Sequence, residues 1–386
     1  MSSRELRLVI AGGGTGGHVL PAVAVVEELR RRGIPLKSLW IGSRDGVERE
    51  HADEAEIPFR IVQTGKLRRY IAASTVTDAV RLPVGTVQAW RILRAWKPDV
   101  VFSTGGFVSV PTVAAAARLA PILTHEQTAV IGLANRINVR FADVFAISHQ
   151  HMAPVANAVH RRVVVTGNPI RTSLSGGDPV CGRSHWGFSS DLPILYVTGG
   201  VRGASPLNER VLALLPALLE TCQIVHQTGP ASAHDDAATL QTLRATWPEH
   251  LQARYRVVDV ITDEMRDLYA AADLILGRAG AGTVAEVAAY GPPAIFIPLP
   301  GAGGDEQTRN ARLLSDIGAA ILLPQDAATP DALRGTINAL LANPERLATM
   351  RQNARTISNE LAAARLVDEL LALANYPVPS DVARTR

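Results

Sequence analysis

The chain has little cysteine and no long apolar segment. Its 386 residues include two cysteines, Cys181 and Cys222, too few for a disulfide framework or a cysteine metal site, which favours a reducing, cytoplasmic compartment. No stretch offers about 18 or more predominantly apolar residues without glycine, proline or charge, so a transmembrane helix is not expected. The start, MSSRELRLVIAGGG, lacks the apolar region and cleavage site of a signal peptide.

The composition supports two ordinary domains. With 47% apolar and 19% charged residues, each half can bury a core of its own, and 386 residues exceed one average domain. We predict one domain at residues 1–170, a second at 194–375 and a short tail at 376–386. Residues 171–193, rich in glycine, serine, proline and aspartate, are predicted to be the linker.

Charge is divided unevenly between the two halves. Residues 1–170 hold 21 Lys and Arg against 13 Asp and Glu, a net of +8, which leaves 18 against 23, a net of −5, for residues 171–386. Basic residues are concentrated in 60–97, where the only acid is Asp78. Because net charge informs about partners rather than fold, this division allows nucleic acid, an anionic membrane or a pyrophosphate substrate.

Both halves alternate short apolar strands with helical runs. The predicted strands with their turns are LRLVIAG, SLWIGS, PDVVFSTGG, PILTHEQ, ADVFAIS and RVVVTGNP, then PILYVTGG, QIVHQTG, YRVVDVI, ADLILG, PAIFIPLP and AAILLPQ. PAVAVVEELRRRG predicts a helix with Pro21 near its start and Gly33 past its end. The alternation indicates two Rossmann-like, doubly wound parallel α/β sheets. Ligands of such sheets bind at the carboxyl ends of strands, so we expect a cleft lined by the loops of both.

The loop AGGGTGGHV after the first strand fits the dinucleotide pattern G-x-G-x-x-G through Gly12, Gly14 and Gly17. A dinucleotide site needs an acid at the tip of the second strand, but that tip reads Gly-Ser-Arg and Asp45 comes one turn late. A nicotinamide site is therefore weakly supported. A tight turn alone would also explain the glycines.

Two further loops of the first half place polar groups at strand ends. STGGFVSVP (103–111) is a second glycine turn, compatible with a ligand or with a plain turn. THEQT (124–128) ends an apolar strand, and its side chains are costly to bury unless they meet a ligand or one another. Arg171 in TGNPIRT can reach a phosphate or a sugar, although its spacing alone favours an ordinary surface arginine.

Three loops of the second half favour an anionic ligand. TGGVRGA (198–204) and GRAGAGTVAE (277–286) offer backbone amides at helix starts, which suit a pyrophosphate. Glu286 can accept hydrogen bonds from ribose hydroxyls, or can simply favour the helix dipole. PLPGAGGDEQTRNA (298–311) carries Asp305, Glu306 and Gln307, which can bind sugar hydroxyls or lie in solvent.

The order of these motifs is more specific than any one of them. GGTGGHVLPAVAV, STGGFVSVP, THEQ, TGNPIR, AGAGTVAE and DEQTRNA occur in this order and resemble the MurG family, and the resemblance covers roughly residues 5–370. These are peripheral-membrane N-acetylglucosaminyltransferases that convert lipid I to lipid II in peptidoglycan synthesis. The resemblance implies the GT-B fold, UDP-N-acetylglucosamine and lipid I as substrates, and no cofactor or metal. It also implies a location at the cytoplasmic face of the cell membrane and no nucleic acid partner.

The resemblance also implies residue roles in an inverting displacement by the C4 hydroxyl of the muramyl sugar. His18 is the first candidate for the general base and Glu126 the second. The implied donor-binding residues are Thr15, Gly16, Gly17, Thr128, Arg171, Val201, Arg202, Thr262, Ala281, Gly282, Thr283, Glu286 and Gln307. The implied acceptor-binding residues are Gly13, Gly14, Gly105, Gly106, Phe107, His125 and Gln127. Amides of the helix starting near Gly203 would stabilise the leaving diphosphate, and basic and aromatic residues of 60–97 would contact anionic lipid.

The donor-side motifs depart from the family pattern. Thr128 stands where the family has asparagine, Val201 and Arg202 where it has serine and glutamine, and Gly282 where leucine is common. Val201 has no hydroxyl for a phosphate, whereas Arg202 can supply an attraction in its place. Two alternatives therefore stay open beside the nicotinamide enzyme: a GT-B transferase with another acceptor or donor, and a non-catalytic homologue that binds UDP-sugar.

Overall fold

A computed structural model describes residues 4–44, 46–65, 74–230, 235–301, 304–357 and 360–377. The chain divides into two compact units, which we describe separately. Unit 1 comprises Met1–Thr172 with Asn359–Arg386, and unit 2 comprises Ser173–Ser358.

Among the described residues, unit 1 contains a seven-stranded parallel sheet in the order β3-β2-β1-β4-β5-β6-β7. Its strands are β1 Leu6–Gly12, β2 Leu36–Gly42, β3 Phe59–Ile61, β4 Val100–Gly105, β5 Ile122–Glu126, β6 Val144–Ile147 and β7 Val163–Val165. Its helices are α1 Gly16–Arg31, α2 Glu48–Glu54, α3 Ser74–Trp96, α4 Ser109–Ala116, α5 Leu133–Asn138 and α6 Ala153–Asn157, with a short 3₁₀ turn at Gln150–Met152. A second 3₁₀ turn, Thr172–Leu174, spans the boundary between unit 1 and unit 2. Continuous Val, Ile and Leu runs form the central strands because helices cover both faces of the sheet.

Unit 2 repeats this architecture with a parallel sheet whose described strands follow the order β10-β9-β8-β11-β12-β13. The strands are β8 Ile194–Thr198, β9 Gln223–Gln227, β10 Tyr255–Val258, β11 Leu274–Gly277, β12 Ala294–Phe296 and β13 Ala320–Leu322. The helices are α7 Pro179–Trp186, α8 Ser205–Leu212, α9 Leu215–Leu219, α10 Asp236–Arg244, α11 Glu249–Ala253, α12 Met265–Ala271, α13 Ala281–Tyr290, α14 Glu306–Ser315, α15 Pro330–Leu341 and α16 Pro344–Arg355. Two apolar clusters, one on each face, form its core.

The last helix, α17 Ala362–Leu373, differs from the predicted domain boundary. Residues up to 375 were expected in the second domain, but α17 belongs to unit 1 and packs beside α1. Leu366, Leu370 and Leu371 are fully buried in the same cluster as Leu8 and Leu29. The apolar stripe of α17 completes the core of unit 1, a long-range pairing that local sequence does not reveal.

The predicted linker 171–193 is also more ordered than its composition indicates. Helix α7 begins where the Asp178 side chain accepts hydrogen bonds from the backbone N–H groups of Val180 and Cys181. It ends at Gly187, which has φ 65. The helix packs against α12, so most of this segment is part of unit 2.

The predicted strands are all present, but two details of unit 1 differ. Strand β3 was not expected, since it has three residues and Arg60 and Ile61 within it are exposed. Helix α1 begins at Gly16, so Pro21 lies inside it rather than near its start.

Each sheet has one switch point, where the order of strands reverses direction. In unit 1 it lies between β1 and β4, and in unit 2 between β8 and β11. Crevices that bind ligands in doubly wound sheets form at the carboxyl ends of the strands at such points. The loops after these four strands carry the glycine motifs.

Candidate active site

The two glycine loops of unit 1 contact each other at its switch point. Gly12 at the end of β1 pairs with Gly105 at the end of β4. A Cβ on Gly106 would lie 2.3 Å from the carbonyl oxygen of Gly13 and 3.0 Å from Cδ2 of His18. Gly106 also has φ 76, so both space and backbone conformation require glycine there.

The same region brings together most of the residues predicted to bind the acceptor. A Cβ on Gly14 would lie 2.8 Å from Cε1 of Phe107, so the ring of Phe107 covers the first loop. Thr15 is exposed at the N-terminal cap of α1, and its carbonyl oxygen accepts a hydrogen bond from the backbone N–H of His18 at 3.0 Å. Gly16 and Gly17 form the first turn of the helix.

His18 is half-buried, and its hydrogen bonds fix the position of its proton. Nδ1 lies 2.8 Å from the carbonyl oxygen of Thr104 and 3.2 Å from Oε1 of Gln127. Both partners only accept hydrogen bonds, so Nδ1 carries the hydrogen in the neutral ring. Nε2 then holds the lone pair, and it accepts no hydrogen bond from any residue that the structure describes. The ring therefore has the form that a general base requires.

Glu126, the second candidate base, is engaged on both carboxylate oxygens. Oε1 accepts hydrogen bonds from the N–H and the hydroxyl of Thr128 at 3.2 and 2.8 Å. Oε2 accepts from the N–H of Gly132 at 2.8 Å and from Nδ2 of Asn135 at 3.0 Å. The side chain is 1% exposed. Four donors and burial make Glu126 a structural anchor for this loop.

His125 and Gln127, both predicted to bind the acceptor, are buried, and Oε1 of Gln127 lies 3.2 Å from Nδ1 of His18. They are 0% and 1% exposed. Burial lowers the pKa of His125 to about 3, so its ring is neutral. The THEQT segment is therefore the hydrogen-bond network that was left open as its alternative explanation.

Asn135 and Asn138 extend this network and were not singled out in the sequence. Nδ2 of Asn135 donates to the His125 carbonyl oxygen at 3.0 Å, in addition to Glu126. Nδ2 of Asn138 donates to the Ser109 hydroxyl at 2.7 Å, which donates to the Gly106 carbonyl oxygen at 2.8 Å. The end of β5 is thus tied to the second glycine loop. Asparagines on a short helix carry no local sign of such a role.

Glu48 is a third residue that the sequence did not reveal. It is 0% exposed and accepts hydrogen bonds from the backbone N–H groups of Gly14 at 2.9 Å and Ser43 at 2.8 Å. The Gly14 amide was expected to face a pyrophosphate, but it is directed at this carboxylate. The carboxylate ties the β1 and β2 loops together, where a dinucleotide site would hold a ribose. Asp45, the other acid considered there, lies outside the described residues.

Glycine turns also surround the switch point of unit 2. The N–H of Gly200 donates to the Thr198 hydroxyl at 3.0 Å, and the N–H of Gly203 donates to the Gly200 carbonyl oxygen at 3.0 Å. Val201 is half-buried and Arg202 is exposed at the tip of this turn. Helix α8 begins at Ser205, two residues after Gly203, the position from which it was expected to start.

Helix α13 starts at Ala281 directly after the glycine-rich end of β11. Its N-terminal cap, Gly280, provides no side-chain hydrogen bond, and its first turn has no acid. Backbone N–H groups at such a start attract an anion. The predicted donor residues Ala281, Gly282 and Thr283 form this turn.

Glu286 lies on the following turn of α13 and is half-buried. Its Oε2 accepts a hydrogen bond of 2.6 Å from the hydroxyl of Tyr269, which is 4% exposed. No sequence motif points to Tyr269, because it belongs to α12, outside all of them. Its hydroxyl restricts the orientation of the carboxylate.

Arg278 places a buried positive charge directly after β11. Its guanidinium is held by the carbonyl oxygens of Ile297 at 2.9 Å and Pro298 at 3.1 Å, and by Oε1 of Gln325 at 2.7 Å. Burial lowers its pKa to about 10, so it remains a cation at neutral pH. A cation held by neutral oxygens raises the potential at this end of the sheet.

Four further residues were predicted to bind the donor. Thr262 is exposed after β10, and Arg171 is half-buried near the end of unit 1, just before the turn Thr172–Leu174. Oε1 of Gln307 accepts a hydrogen bond from the N–H of Leu299 at 2.9 Å, so this side chain supports the loop before α14. The hydroxyl of Thr128 has two acceptors, Oε1 of Glu126 at 2.8 Å and the carbonyl oxygen of Val130 at 2.5 Å.

None of the helices in the described part of the chain is long and apolar enough to cross a membrane. The same residues contain no group of three or more His, Cys, Asp or Glu side chains that could hold a metal ion.

Known protein families match both units. The glycosyltransferase family 28 N-terminal domain matches residues 8–147, and the glycosyltransferase family 28 C-terminal domain matches residues 194–369. With two Rossmann-like sheets, the chain is a glycosyltransferase of the GT-B class.

Individual relatives show which family of GT-B glycosyltransferases the chain belongs to. A UDP-N-acetylglucosamine–N-acetylmuramyl-(pentapeptide) pyrophosphoryl-undecaprenol N-acetylglucosamine transferase of Treponema denticola is 36% identical over 379 residues, covering 94% of this chain and 96% of the relative. The transferase of the same name from Salinibacter ruber is 37% identical and covers 97% and 99%. The crystal structure of Acinetobacter baumannii MurG has a TM-score of 0.70 at 32% identity and covers 96% and 99%. The chain belongs to the MurG family, and the resemblance carried by its motifs is confirmed.

Proposed function

We propose that this protein transfers N-acetylglucosamine from UDP-N-acetylglucosamine to the C4 hydroxyl of the muramyl sugar of lipid I, which gives lipid II. The observation that carries the proposal is His18, whose Nδ1 is engaged by two acceptors beside the joined glycine loops. In the reaction the hydroxyl proton passes to Nε2 of His18. The hydroxyl oxygen bonds to the anomeric carbon as the bond from that carbon to the UDP phosphate oxygen breaks, with inversion.

Unit 1 holds the acceptor in this proposal. The lipid-linked sugar lies against Gly13, the turn of Gly105 and Gly106, and the ring of Phe107, with Thr15, Gly16 and Gly17 at the start of α1 beside both substrates. The amide of Gly14 is already satisfied by Glu48, so the pyrophosphate depends on the first turn of α1 instead. His125, Gln127, Glu126 and Thr128 support the loop from beneath.

Unit 2 holds UDP. The diphosphate lies near the first turn of α13, formed by Ala281, Gly282 and Thr283, and the turn of Val201 and Arg202. Glu286 binds the ribose. Arg202 is exposed and supplies the attraction that a serine hydroxyl at position 201 would give. Arg171, Thr262 and Gln307 are assigned to the rest of the donor.

The decisive experiment follows radiolabel from UDP-N-acetylglucosamine to a short-chain lipid I analogue. We expect a product of lipid II composition, and competition by UDP. Retained UDP binding without transfer would show a non-catalytic homologue. Transfer to another acceptor, or from another UDP-sugar at a higher rate, would show a related transferase. Binding of NADH or NADPH in place of UDP would contradict the proposal altogether.

We further propose that an apolar face of unit 1 binds the anionic surface of the membrane on its cytoplasmic side. Val87, Trp90, Leu119 and Phe141 are 51%, 40%, 37% and 39% exposed, and they line a hollow of about 390 Å³ with Arg118. The guanidinium of Arg94 lies 5.2 Å from the Trp90 ring. Exposed apolar groups beside arginines suit a lipid surface, because rings enter the interface while guanidinium groups meet phosphates. Within 60–97, Lys66, Arg68 and Arg69 lie outside the described residues.

Vesicle co-sedimentation tests this face. We expect binding to vesicles rich in phosphatidylglycerol, weak binding to phosphatidylcholine alone, and loss of binding in W90S/F141S. Val180→Ser is the matched control, since Val180 is 73% exposed in unit 2. Equal binding of W90S/F141S and the control would disprove the assignment.

A further inference from the structure

The side-chain amide of Gln127 has one orientation that its surroundings allow. Nε2 lies 2.7 Å from the Thr104 carbonyl oxygen and 3.4 Å from the His125 carbonyl oxygen. Both oxygens only accept hydrogen bonds, so the group facing them is the NH₂. Oε1 is therefore the atom that faces Nδ1 of His18, at 3.2 Å.

The ring of His125 has one proton position for a similar reason. Nε2 lies 3.0 Å from the Gly167 carbonyl oxygen, so it carries the hydrogen. Ser148 Oγ lies 3.3 Å from the same nitrogen and donates its own hydrogen to the Glu126 carbonyl oxygen at 2.8 Å, so it does not compete as a donor. Nδ1 of His125 thus holds a lone pair, and it faces Nε2 of Gln127 at 3.3 Å.

These bonds form a directed chain that ends on the reactive histidine. The Gly167 oxygen accepts from His125, Nδ1 of His125 accepts from Gln127, and Oε1 of Gln127 accepts from Nδ1 of His18. The Thr104 oxygen accepts from both Gln127 and His18. Because His125 and Gln127 are almost completely buried, water does not offer alternative partners to them.

We propose that His125 and Gln127 are positioning residues that hold His18 in its Nδ1–H tautomer and so present its Nε2 lone pair as the base. The catalytic consequence rests on the proposed function, whereas the tautomer is a property of the free protein. Because the ring of His125 stays neutral across the neutral pH range, the donors and acceptors of these hydrogen bonds do not change there.

These directed hydrogen bonds predict which ring nitrogen carries the hydrogen in His18 and in His125, and nuclear magnetic resonance can measure this. Long-range nitrogen–proton correlation of the imidazole rings distinguishes the two tautomers of each histidine, and signals are assigned with His18→Gln and His125→Phe. In the free wild-type protein we expect His18 as Nδ1–H and His125 as Nε2–H. The reverse tautomer at either residue would overturn the proposal.

Gln127→Met, a change of similar shape, removes one of the two acceptors of His18. We expect the ratio of its tautomers to shift by about fivefold toward Nε2–H, since one hydrogen bond is lost. We expect kcat to fall by up to about fivefold, because that is the largest loss of the Nε2 lone pair that such a shift allows. KM for UDP-N-acetylglucosamine stays unchanged because UDP is assigned to unit 2 and the Gln127 side chain is buried. His125→Phe, which acts through Gln127, gives a smaller change in the same direction.

His226→Phe is the matched control. His226 is 0% exposed like His125, but it lies in unit 2 and bonds to Tyr255 and Asn208. We expect its substitution to leave the His18 tautomer unchanged. A change of the His18 signal in His226→Phe equal to that in Gln127→Met, or none in Gln127→Met, would overturn the proposal. Absence of transfer by the wild-type protein would instead contradict the proposed function, because the tautomer is measured without substrate.

Discussion

The two units share one topology but use their switch points in different ways. In unit 1, side chains fill the space beneath the glycine loops and bond to one another, as Glu126 does with Thr128 and Asn135. In unit 2, helix α13 starts from Gly280 without a side-chain cap, and glycine turns surround it. A site built from locked side chains suits proton transfer, whereas one built from backbone amides suits an anion.

Buried charge at the two switch points differs in sign. Glu48 lies under the first glycine loop of unit 1 and occupies the amide of Gly14. Arg278 follows β11 of unit 2, and its partners are neutral oxygens. A buried carboxylate opposes a second anion nearby, and a buried guanidinium favours one. The buried guanidinium therefore favours the UDP diphosphate in unit 2, whereas an acceptor pyrophosphate in unit 1 has to bind away from Glu48, at the first turn of α1.

The comparison predicts that His18→Ala separates chemistry from nucleotide binding. We expect the transfer rate to fall by about 10²–10⁴-fold, the usual contribution of a general base. UDP affinity, measured by calorimetry, should stay the same because UDP is assigned to unit 2. His151→Ala, an exposed histidine of unit 1, is the control and should keep full activity. Full transfer by His18→Ala would mean that another group is the base.

Glu126→Gln tests whether this carboxylate is an anchor or a base. An amide would turn its NH₂ toward at least one of the four groups that now donate to Glu126. We expect unit 1 to lose about 2–3 kcal/mol of unfolding free energy, because buried donors are left unsatisfied. Urea unfolding followed by hydrogen exchange measures each unit separately.

The control for this change is Glu54→Gln, which alters an exposed carboxylate on α2 of the same unit. Its effect on stability should be small. If Glu126→Gln abolished transfer without changing the stability of unit 1, Glu126 rather than His18 would be the base.

Acid should destabilise unit 1 more than unit 2. Burial lowers the pKa of His125 to about 3 and of His149 to about 4 in unit 1, and of His226 to about 3 in unit 2. Each folded pKa lies below the ordinary 6.5 of the unfolded chain, so the unfolded state binds protons first as pH falls. Stability is unaffected by these groups well above pH 6.5 and is lost progressively below it.

At about pH 5 each such histidine lowers the free energy of unfolding by about 2 kcal/mol. Unit 1 should therefore lose about 4 kcal/mol of unfolding free energy and unit 2 about 2 kcal/mol. Urea unfolding at about pH 8 and pH 5, resolved by hydrogen exchange, measures both losses. His226→Phe should remove most of the pH dependence of unit 2 and leave that of unit 1. Equal losses of unfolding free energy in both units of the wild-type protein would contradict the assignment of the acid sensitivity to these histidines.

The sequence predicts most of the sheet because buried parallel strands are continuous runs of Val, Ile and Leu, as in LRLVIAG and PILYVT. It does not predict β3, whose three residues are too few for a pattern. Nor does it predict that α17 joins unit 1, since that depends on the α1 surface more than 300 residues earlier in the chain.

The candidate site is predictable to the level of its loops. Glycine motifs identify the turns after β1, β4, β8 and β11, and after the first three of these strands close approach or positive φ values require glycine. Glu48, Asn135 and Tyr269 could not be found in this way. Each acts through a contact with another element, namely the first glycine loop, the end of β5 and helix α13, and each is an ordinary residue in its own helix.

Tyr269→Phe gives the smallest expected effect and tests the nucleotide role of unit 2. The substitution keeps the ring and removes the hydroxyl that donates to Glu286 at 2.6 Å. We expect UDP to bind about tenfold more weakly, since a hydrogen bond to a charged group is lost and the carboxylate is no longer held for the ribose. The transfer rate at saturating donor should not change, because the base lies in unit 1.

Tyr196→Phe is the matched control, since the hydroxyl of this neighbouring buried tyrosine bonds to Gln227 at 2.9 Å instead. It should leave UDP affinity unchanged. With 2′-deoxy-UDP, Tyr269→Phe should cause a smaller loss of affinity, because part of the ribose contact that Glu286 makes is already missing. An equal penalty for UDP and 2′-deoxy-UDP would mean that Tyr269 acts on the packing of α12 and α13 and not on ribose recognition. In that case the backbone amides at the start of α13 would be the remaining structural support for a nucleotide site in unit 2.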